Sequence, residues 1–249
     1  MVRKLDAPGA AAKLFEGWEE TLIWSALDGI MGEVYANEDG TSAVIFAGDF
    51  CFFGGSPDGE VAAILKGKPF MIAVPRGDAW SRMIERVHGD NAVLRMRYAI
   101  QKEPTVFDRK YLSEIRNNLP EGFILRQIDA GLYEMALAEP WSRDLVSQYP
   151  DYETYARLGL GFVILENGKI VSGASSYGTY RQGIEIEIDT HKDYRRRGLA
   201  LRCGAALILA CLDRGLYPSW DAHNVGSVAL SEKLGYHFSH AYPVYEIQY

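Results

Sequence analysis

Residues 184–200, IEIEIDTHKDYRRRGLA, carry the pattern on which the expected fold and function depend. Residues 184–188 alternate strictly between isoleucine and glutamate, which is typical of a strand with one buried and one polar face. A basic turn follows at 194–197, and Gly198 opens an almost wholly apolar segment, which predicts a buried helix over 198–212. The stretch therefore predicts a strand, a tight turn and a buried helix in succession.

The glycine-containing turn before this helix predicts a binding site for an anion. The first N–H groups of a helix have no partner within it and lie at the positive end of its macrodipole. Gly198 lets a ligand's oxygens approach the backbone, and the small Ala200 keeps the second turn open. Arg195, Arg196 and Arg197 add charge-assisted hydrogen bonds, so a diphosphate is the expected ligand. The alternative is a solvated charge run, which fits less well because cations at a helix N-terminus are unfavourable without an anion.

The pattern Arg195-x-x-Gly198-x-Ala200 resembles the pyrophosphate loop of the GNAT superfamily of N-acetyltransferases. A second block at residues 220–236, WDAHNVGSVALSEKLGY, is similar to the superfamily's strand–Asn–helix–Lys-Leu-Gly-aromatic segment. The resemblance covers about residues 122–249. The first half of the chain matches nothing comparable by eye, although some bacterial members are similar in carrying an extra N-terminal α+β domain.

The expected fold is α/β (α+β), with a GNAT-like mixed sheet flanked by helices in the C-terminal half and a smaller α+β domain before it. The stretch RNNLPEG at 116–122 contains Asn-Asn, Pro and Gly, which are typical of a turn or linker. We therefore expect one domain of unknown role at residues 1–120 and an acetyl-CoA-binding domain at residues 121–249. No internal repeat is recognisable in the sequence.

The resemblance implies an acetyl-CoA wedge, in which two neighbouring strands splay apart and the pantetheine arm lies between them. Ile188 and Thr190 would offer backbone groups to the pantetheine amides, and the Ile188 N–H would also stabilise the oxyanion. Asn224 would contact the arm near the thioester. The pyrophosphate would be held by the turn and the first residues of the helix, namely Arg195, Arg196, Arg197, Gly198, Leu199 and Ala200.

Acetyl transfer to an amine also needs a general base, and two glutamates are candidates. Glu185 and Glu187 lie on one face of the strand that ends at the thioester, with Glu187 nearer the site, and either could act through water. The alternative is that both are solvent-facing carboxylates of an alternating strand.

The general acid is where the chain departs from the family's pattern. Many relatives carry a tyrosine seven residues after the motif asparagine, whereas this chain has Ser231, a weaker acid that could still hydrogen-bond the sulfur. A CoA thiol with a pKa near ~8.5 already gives a tolerable leaving group at neutral pH.

Composition limits the classes of partner and location. The net charge of −7 argues against nucleic-acid or membrane binding, and the three scattered cysteines argue against a disulfide framework or a metal cluster. No apolar run approaches the length of a membrane span, so we expect a cytoplasmic protein without a metal.

These patterns together predict an N-acetyltransferase that moves an acetyl group from acetyl-CoA to an amine by direct attack in a ternary complex. The amine is a small molecule or a protein amino group, and its identity is left open, as is the oligomeric state, for which a homodimer is one option. A non-catalytic acyl-CoA-binding or regulatory module is the alternative, which Ser231 favours. A nucleotide or nucleic-acid binder is a third class, disfavoured by the acidic net charge.

Overall fold

Thirteen β-strands and eight α-helices form the chain in a computed structural model, which describes residues 1–249. The strands are β1 (Val2–Lys4), β2 (Glu33–Asn37), β3 (Ser42–Ala47), β4 (Phe50–Gly55), β5 (Phe70–Pro75), β6 (Ala92–Ile100), β7 (Phe123–Gln127), β8 (Gly161–Glu166), β9 (Lys169–Tyr180), β10 (Gly183–Thr190), β11 (Tyr217–Ser219), β12 (Asp221–Ala222) and β13 (Phe238–Gln248). The helices are α1 (Thr21–Leu27), α2 (Gly59–Ala63), α3 (Asp78–His88), α4 (Arg109–Asn117), α5 (Ala130–Ala138), α6 (Tyr152–Leu158), α7 (Leu199–Asp213) and α8 (Val225–Lys233).

The backbone divides into two compact units, and both boundaries fall within strands. The first unit holds Met1–Arg97 together with Ala241–Tyr249, and the second unit holds Tyr98–His240. The boundary predicted from the sequence, at residues 120 and 121, instead lies in the turn between α4 and β7. Leu112 on α4 is fully buried in the hydrophobic core that α7 dominates, which assigns that helix to the second unit. Turn-forming residues mark the end of a helix as readily as the end of a domain.

The first unit is built on a sheet with the strand order β1-β2-β3-β4-β5-β13-β6. Strands β1 to β4 pair antiparallel in succession, β5 runs parallel to β4, and β13 runs antiparallel to β5. A parallel neighbour requires a crossover connection, and here α2 lies between β4 and β5 in the chain. Large apolar side chains fill the core of this unit, among them Val44, Phe53, Trp80, Ile84 and Ile247.

The second unit is built on a five-stranded sheet with the order β11-β10-β9-β8-β7. Strands β7 to β10 pair antiparallel, and β11 runs parallel to β10 after the long helix α7. Asn167 and Gly168 join β8 to β9 with φ angles of 51° and 77°, the left-handed conformations that are typical of an Asn-Gly pair in a two-residue hairpin. The mixed sheet predicted for this half of the chain is therefore present.

Helices cover both faces of this second sheet, as predicted. Helix α7 packs closely on one face because Gly204 lacks a side chain; an added Cβ would lie 3.3 Å from the Ile188 side chain and 2.8 Å from Leu234. On the opposite face a Cβ at Gly173 would lie 2.5 Å from Leu145. The apolar residues of α7 are almost all buried, which explains why the segment carries so little charge.

The two units repeat one topology. In each, a strand is followed by helical segments and then by three strands that continue an antiparallel sheet. A crossover helix, a strand parallel to the last one, another helix and a further strand come next, and the second copy has the additional short strand β12 before its last helix. The first copy runs from β1 to β6 and the second from β7 to β13, whose final residues belong to the first unit. The sequence analysis misses this repeat because topology depends on the order and pairing of elements, and the two copies share no motif.

Burial of His88 predicts a pH-dependent stability of the first unit. Its Nε2 lies 3.1 Å from the Ala62 carbonyl oxygen and its Nδ1 lies 2.7 Å from the Tyr249 hydroxyl, so a neutral ring donates from Nε2 and accepts at Nδ1. Burial lowers the pKa of His88 below its ordinary value of 6.5, outweighing the bond to Ala62. The unfolded chain therefore binds a proton more readily, and stability is lost as the pH falls below about 6.5. We expect the melting temperature to decrease when the pH is lowered from 7.5 to 5.5. In the variant His88→Gln this decrease should be smaller.

His223→Gln is the matched control, because the side chain of His223 is exposed. Its melting temperature should show the same pH dependence as the wild type. An equal pH dependence in His88→Gln would show that other groups cause the effect.

Candidate active site

One edge of β10 loses its neighbouring strand partway along its length. Strand β11 pairs with β10 only at residues 183–185, the last pair being Glu185 with Ser219. The chain then leaves this sheet, and Asp221 and Ala222 pair with residues 98 and 99 at the end of β6. Residues 186–190 of β10 remain paired with β9 on their other side. The result is a gap between β10 and the segment after β11.

The backbone of Ile188 faces this gap. The Tyr217 N–H donates to the Gln182 carbonyl toward β11, whereas the His191 N–H donates to the Val171 carbonyl toward β9. Backbone N–H and C=O groups alternate in direction along a strand. Those of the even-numbered residues of β10 are therefore directed toward β11, and those of the odd-numbered residues toward β9. Ile188 lies beyond the last pair on the β11 side, so its N–H and C=O are directed into the gap. The role of this amide in binding a ligand remains a prediction.

Thr190, in contrast, uses both of its backbone groups within the protein. Its N–H donates to Oδ1 of Asp189 over 2.6 Å, and its carbonyl accepts from Nε of Arg195 over 3.1 Å. Its hydroxyl lies 2.7 Å from that of Ser172. These bonds fasten the end of β10 to the following turn, so Thr190 holds the turn in place rather than leaving its amide open to a ligand.

The turn before α7 has the backbone of an anion-binding loop. Arg196 and Gly198 both adopt left-handed conformations, with φ angles of 66° and 72°. Gly198 is the N-cap of α7, and no side chain accepts a bond from the first N–H groups of that helix. The orphan amides of Leu199 and Ala200 and the positive end of a helix that spans Leu199–Asp213 are therefore available to an anion.

The arginines of this turn divide into two that hold the loop and one that extends from it. Arg195 bonds the Thr190 carbonyl and lies 3.8 Å from the Asp189 carboxylate. Arg197 donates to the Asp193 carbonyl, and its guanidinium lies 4.9 Å from the Tyr194 ring centre. Arg196 is exposed and makes no ion pair or side-chain hydrogen bond. Contacts within the protein thus help to stabilise the positive charges of Arg195 and Arg197 at the N-terminus of α7. The sequence analysis did not predict these contacts.

Three carboxylates lie on one side of β10 at alternate positions, but in different environments. Glu185 is only 8% exposed, and its charge adds to the burial that raises the pKa of Tyr217 to about 12. Glu187 is half-buried and pairs across the sheet with Ser175, whose hydroxyl bonds that of Tyr155 over 2.8 Å. Of the two predicted bases, Glu187 is therefore the more accessible.

Asp189 is a candidate that the sequence analysis missed. Burial raises the pKa of its carboxyl, and the Thr190 N–H and the charge of Arg195 oppose this shift only in part. A carboxyl with a raised pKa near an open strand edge is suited to accept a proton. The alternation of Glu185, Glu187 and Asp189 was a signal that could have found it, since all three fall on one face.

The predicted residues Asn224, at the N-cap of α8, and Ser231, within it, have local structural roles, and so has Tyr236 just after the helix. Oδ1 of Asn224 accepts the Ser227 N–H over 3.0 Å and so caps the helix. Ser231 is fully buried, and its hydroxyl donates to the Val228 carbonyl over 2.8 Å, one turn back in the same helix. The hydroxyl of Tyr236 donates to the Pro218 carbonyl, and burial raises its pKa well above 10.0. Neither hydroxyl is arranged to protonate a leaving thiolate.

The structure contains no group of three or more His, Cys, Asp or Glu side chains arranged to hold a metal ion. None of the helices combines the length and the apolar character needed to cross a bilayer.

Comparison with known proteins identifies the family. A family model described as GNAT acetyltransferase matches residues 12–245. The chain is 28% identical over 251 residues to YdfB of Bacillus subtilis (strain 168), an uncharacterized N-acetyltransferase, with 90% of this chain and 89% of that protein covered. The match includes most of the first unit, so the sequence analysis was wrong to restrict the family to the C-terminal half. The first unit lacks the arginine–glycine turn by which the second half is recognised.

Solved structures agree with this assignment. A GCN5-related N-acetyltransferase-like protein from Streptococcus suis 89/1591 is 48% identical, with a TM-score of 0.92 over 97% of this chain and 98% of that one. A tandem GNAT protein from the clavulanic acid biosynthesis pathway shares the fold, with 11% identity and a TM-score of 0.57 over 100% of this chain and 98% of that one. The chain therefore belongs to the GNAT acetyltransferase family, whose co-substrate is acetyl-CoA, and is an N-acetyltransferase that transfers an acetyl group to an amine.

Proposed function

We propose that the second unit binds acetyl-CoA across the open edge of β10 and the N-terminus of α7. The observation that carries this proposal is their juxtaposition: the edge opens after Glu185, and the uncapped helix begins nine residues beyond Thr190. An extended amide-containing arm fits a strand edge that lacks its neighbour, because its groups complete the missing hydrogen bonds. A diphosphate at the end of that arm fits the amides and the positive end of α7.

Each part of the site has a distinct task in this proposal. Acetyl-CoA brings a thioester carbonyl that an amine can attack. The Ile188 N–H donates to an oxygen at the strand edge and stabilises negative charge there. Arg196 and the amides of residues 198–200 bind the phosphates. Arg195, Arg197 and Thr190 keep the turn in its left-handed conformation, and Asn224 fixes the start of α8 beside the arm.

Glu187 is the proposed general base. Of the two predicted glutamates it is the more accessible to solvent, and it lies one residue before Ile188. In this position it can take a proton from the acceptor ammonium through a water molecule. Glu185 is too buried for this task, and Asp189 is the second candidate because burial raises its pKa. The acceptor is an amine of unidentified structure. No side chain is assigned as general acid, because the hydroxyls of Ser231 and Tyr236 are both donated to carbonyl oxygens.

Acetyl-CoA affinity should depend on the turn before α7. Arg196→Ala removes one charge-assisted contact worth about 1.5–3 kcal/mol, so we expect the Kd to rise by about 10- to 100-fold. Gly198→Ala should also weaken binding, since it strains a φ of 72° and places a Cβ 2.6 Å from Nη1 of Arg202. Calorimetric titration with acetyl-CoA, and with ATP and NAD for comparison, measures both effects.

Arg157→Ala serves as the control in that titration, because Arg157 is an exposed arginine on α6 that lines a pocket with Arg214 and Leu216, beyond the opposite end of α7 from the turn. Its Kd should equal that of the wild type. If Arg196→Ala bound acetyl-CoA as tightly as the wild type, the proposed position of the diphosphate would be incorrect.

Replacement of the general base should lower turnover without weakening the binding of acetyl-CoA. General base catalysis contributes about 10²- to 10⁴-fold, so Glu187→Gln should reduce kcat/KM by an amount in that range while the Kd for acetyl-CoA is unchanged. The exposed Glu153 on α6 supplies the matched control, Glu153→Gln, which should retain full activity. A panel of primary amines followed by release of free CoA thiol provides the assay.

The pH profile separates the two candidate bases. A carboxylate base must be ionised, so activity falls as the pH drops through its pKa. If Glu187→Gln kept its activity while Asp189→Asn lost the acidic limb of the profile, the base would be Asp189. Because burial raises the pKa of Asp189, that limb would lie above the ordinary aspartate value of 3.8.

A further inference from the structure

The first unit repeats the topology of the second, so the end of its β4 is the counterpart of the end of β10. In both units this strand has an antiparallel neighbour on one side, a parallel neighbour on the other and a crossover helix after it. The question is whether the first unit offers the same open edge and the same uncapped helix.

The edge of β4 is closed. Strand β5 pairs with β4 from Phe50 as far as Phe53, so only Gly54 and Gly55 extend beyond the parallel ladder. The Gly55 carbonyl accepts a hydrogen bond from the indole Nε1 of Trp80 over 3.0 Å. Trp80 is 1% exposed, and its ring centre lies 4.9 Å from that of Phe53. The indole thus fills the position next to the strand end and uses the backbone acceptor there.

The helix that follows β4 is also closed. Helix α2 has five residues, and its N-cap is Asp58, whose Oδ1 accepts from the N–H groups of Glu60 and Val61 over 2.7 and 3.2 Å. Oδ2 of the same carboxylate accepts from Nδ2 of Asn37 over 2.9 Å. The first amides of α2 are therefore satisfied by a negative charge that belongs to the chain itself. In the second unit the corresponding N-cap is a glycine without a side chain.

We infer that the first unit is a closed copy of the acetyltransferase fold, in which Trp80 and Asp58 occupy the places that a bound acyl-CoA would need, and that each chain binds one acetyl-CoA, in the second unit. The inference rests on the proposed function of the second unit. A diphosphate at α2 would meet the Asp58 carboxylate at close range, and both oxygens of that carboxylate would lose their donors if it moved aside. An amide arm along β4 would have to displace the buried indole of Trp80. The indole N–H would then lose the Gly55 carbonyl oxygen that accepts its hydrogen bond.

Titration calorimetry of the full chain with acetyl-CoA, and native mass spectrometry of the same sample, test the inference. We expect a single binding event and a mass increase of one acetyl-CoA per chain. In the double variant Arg196→Ala/Gly198→Ala the Kd of that binding event should rise by at least tenfold. No second binding event should be detected in the variant. Two events in the wild type, or an unweakened event in the double variant, would overturn the inference.

Hydrogen exchange with and without acetyl-CoA locates the ligand independently of affinity. The amides of residues 186–202 should exchange more slowly in the presence of acetyl-CoA, and those of residues 54–62 should be unchanged. ADP at the same concentration is the control for non-specific anion binding. Protection of residues 54–62 would overturn the inference, whereas a wild-type chain that bound no acetyl-CoA at all would contradict the proposed function of the second unit.

Discussion

A strand whose neighbour ends early must satisfy its remaining backbone groups in another way, and this constraint governs the candidate site. After Ser219 the chain leaves the edge of β10, and its next residues pair with β6 instead. The N–H and C=O of Ile188 are then directed into a gap. In water these groups would be solvated, and an extended ligand with its own amides can replace that water at little cost.

The rest of the site is built so that this gap stays open at one defined place. Helix α7 packs against β10 through Gly204, which brings the helix N-terminus to the turn after the strand. Thr190, Asp189 and Arg195 bond to one another around that turn, so two residues in left-handed conformations are held without help from a ligand. Such preorganisation lowers the entropic cost of binding.

The two units show how one topology can be either open or closed. Both contain a strand with a parallel neighbour and a crossover helix, so both have strand-end carbonyls and helix N–H groups that need partners. In the first unit an indole N–H and a carboxylate of the chain supply those partners. In the second unit a glycine cap and the early departure of β11 leave the corresponding groups without a cap side chain or a neighbouring strand. The difference depends on a few side chains and on where one strand ends, and the order of the elements is the same.

The amino-acid sequence by itself determined the strand–turn–helix at residues 184–200, the hairpin at Asn167 and Gly168, and the family, because these depend on local periodicity, on glycine backbone freedom and on short motifs. It also singled out Ile188 and Gly198, which lie at the open edge of β10 and at the N-cap of α7. Only the tertiary structure decided that α4 belongs to the second unit, that Thr190, Arg195 and Arg197 hold the turn, and that Glu185 is buried while Glu187 and Asp189 are only half-buried. These outcomes depend on which distant strands pair and on which polar groups they leave without partners, and no local pattern records that.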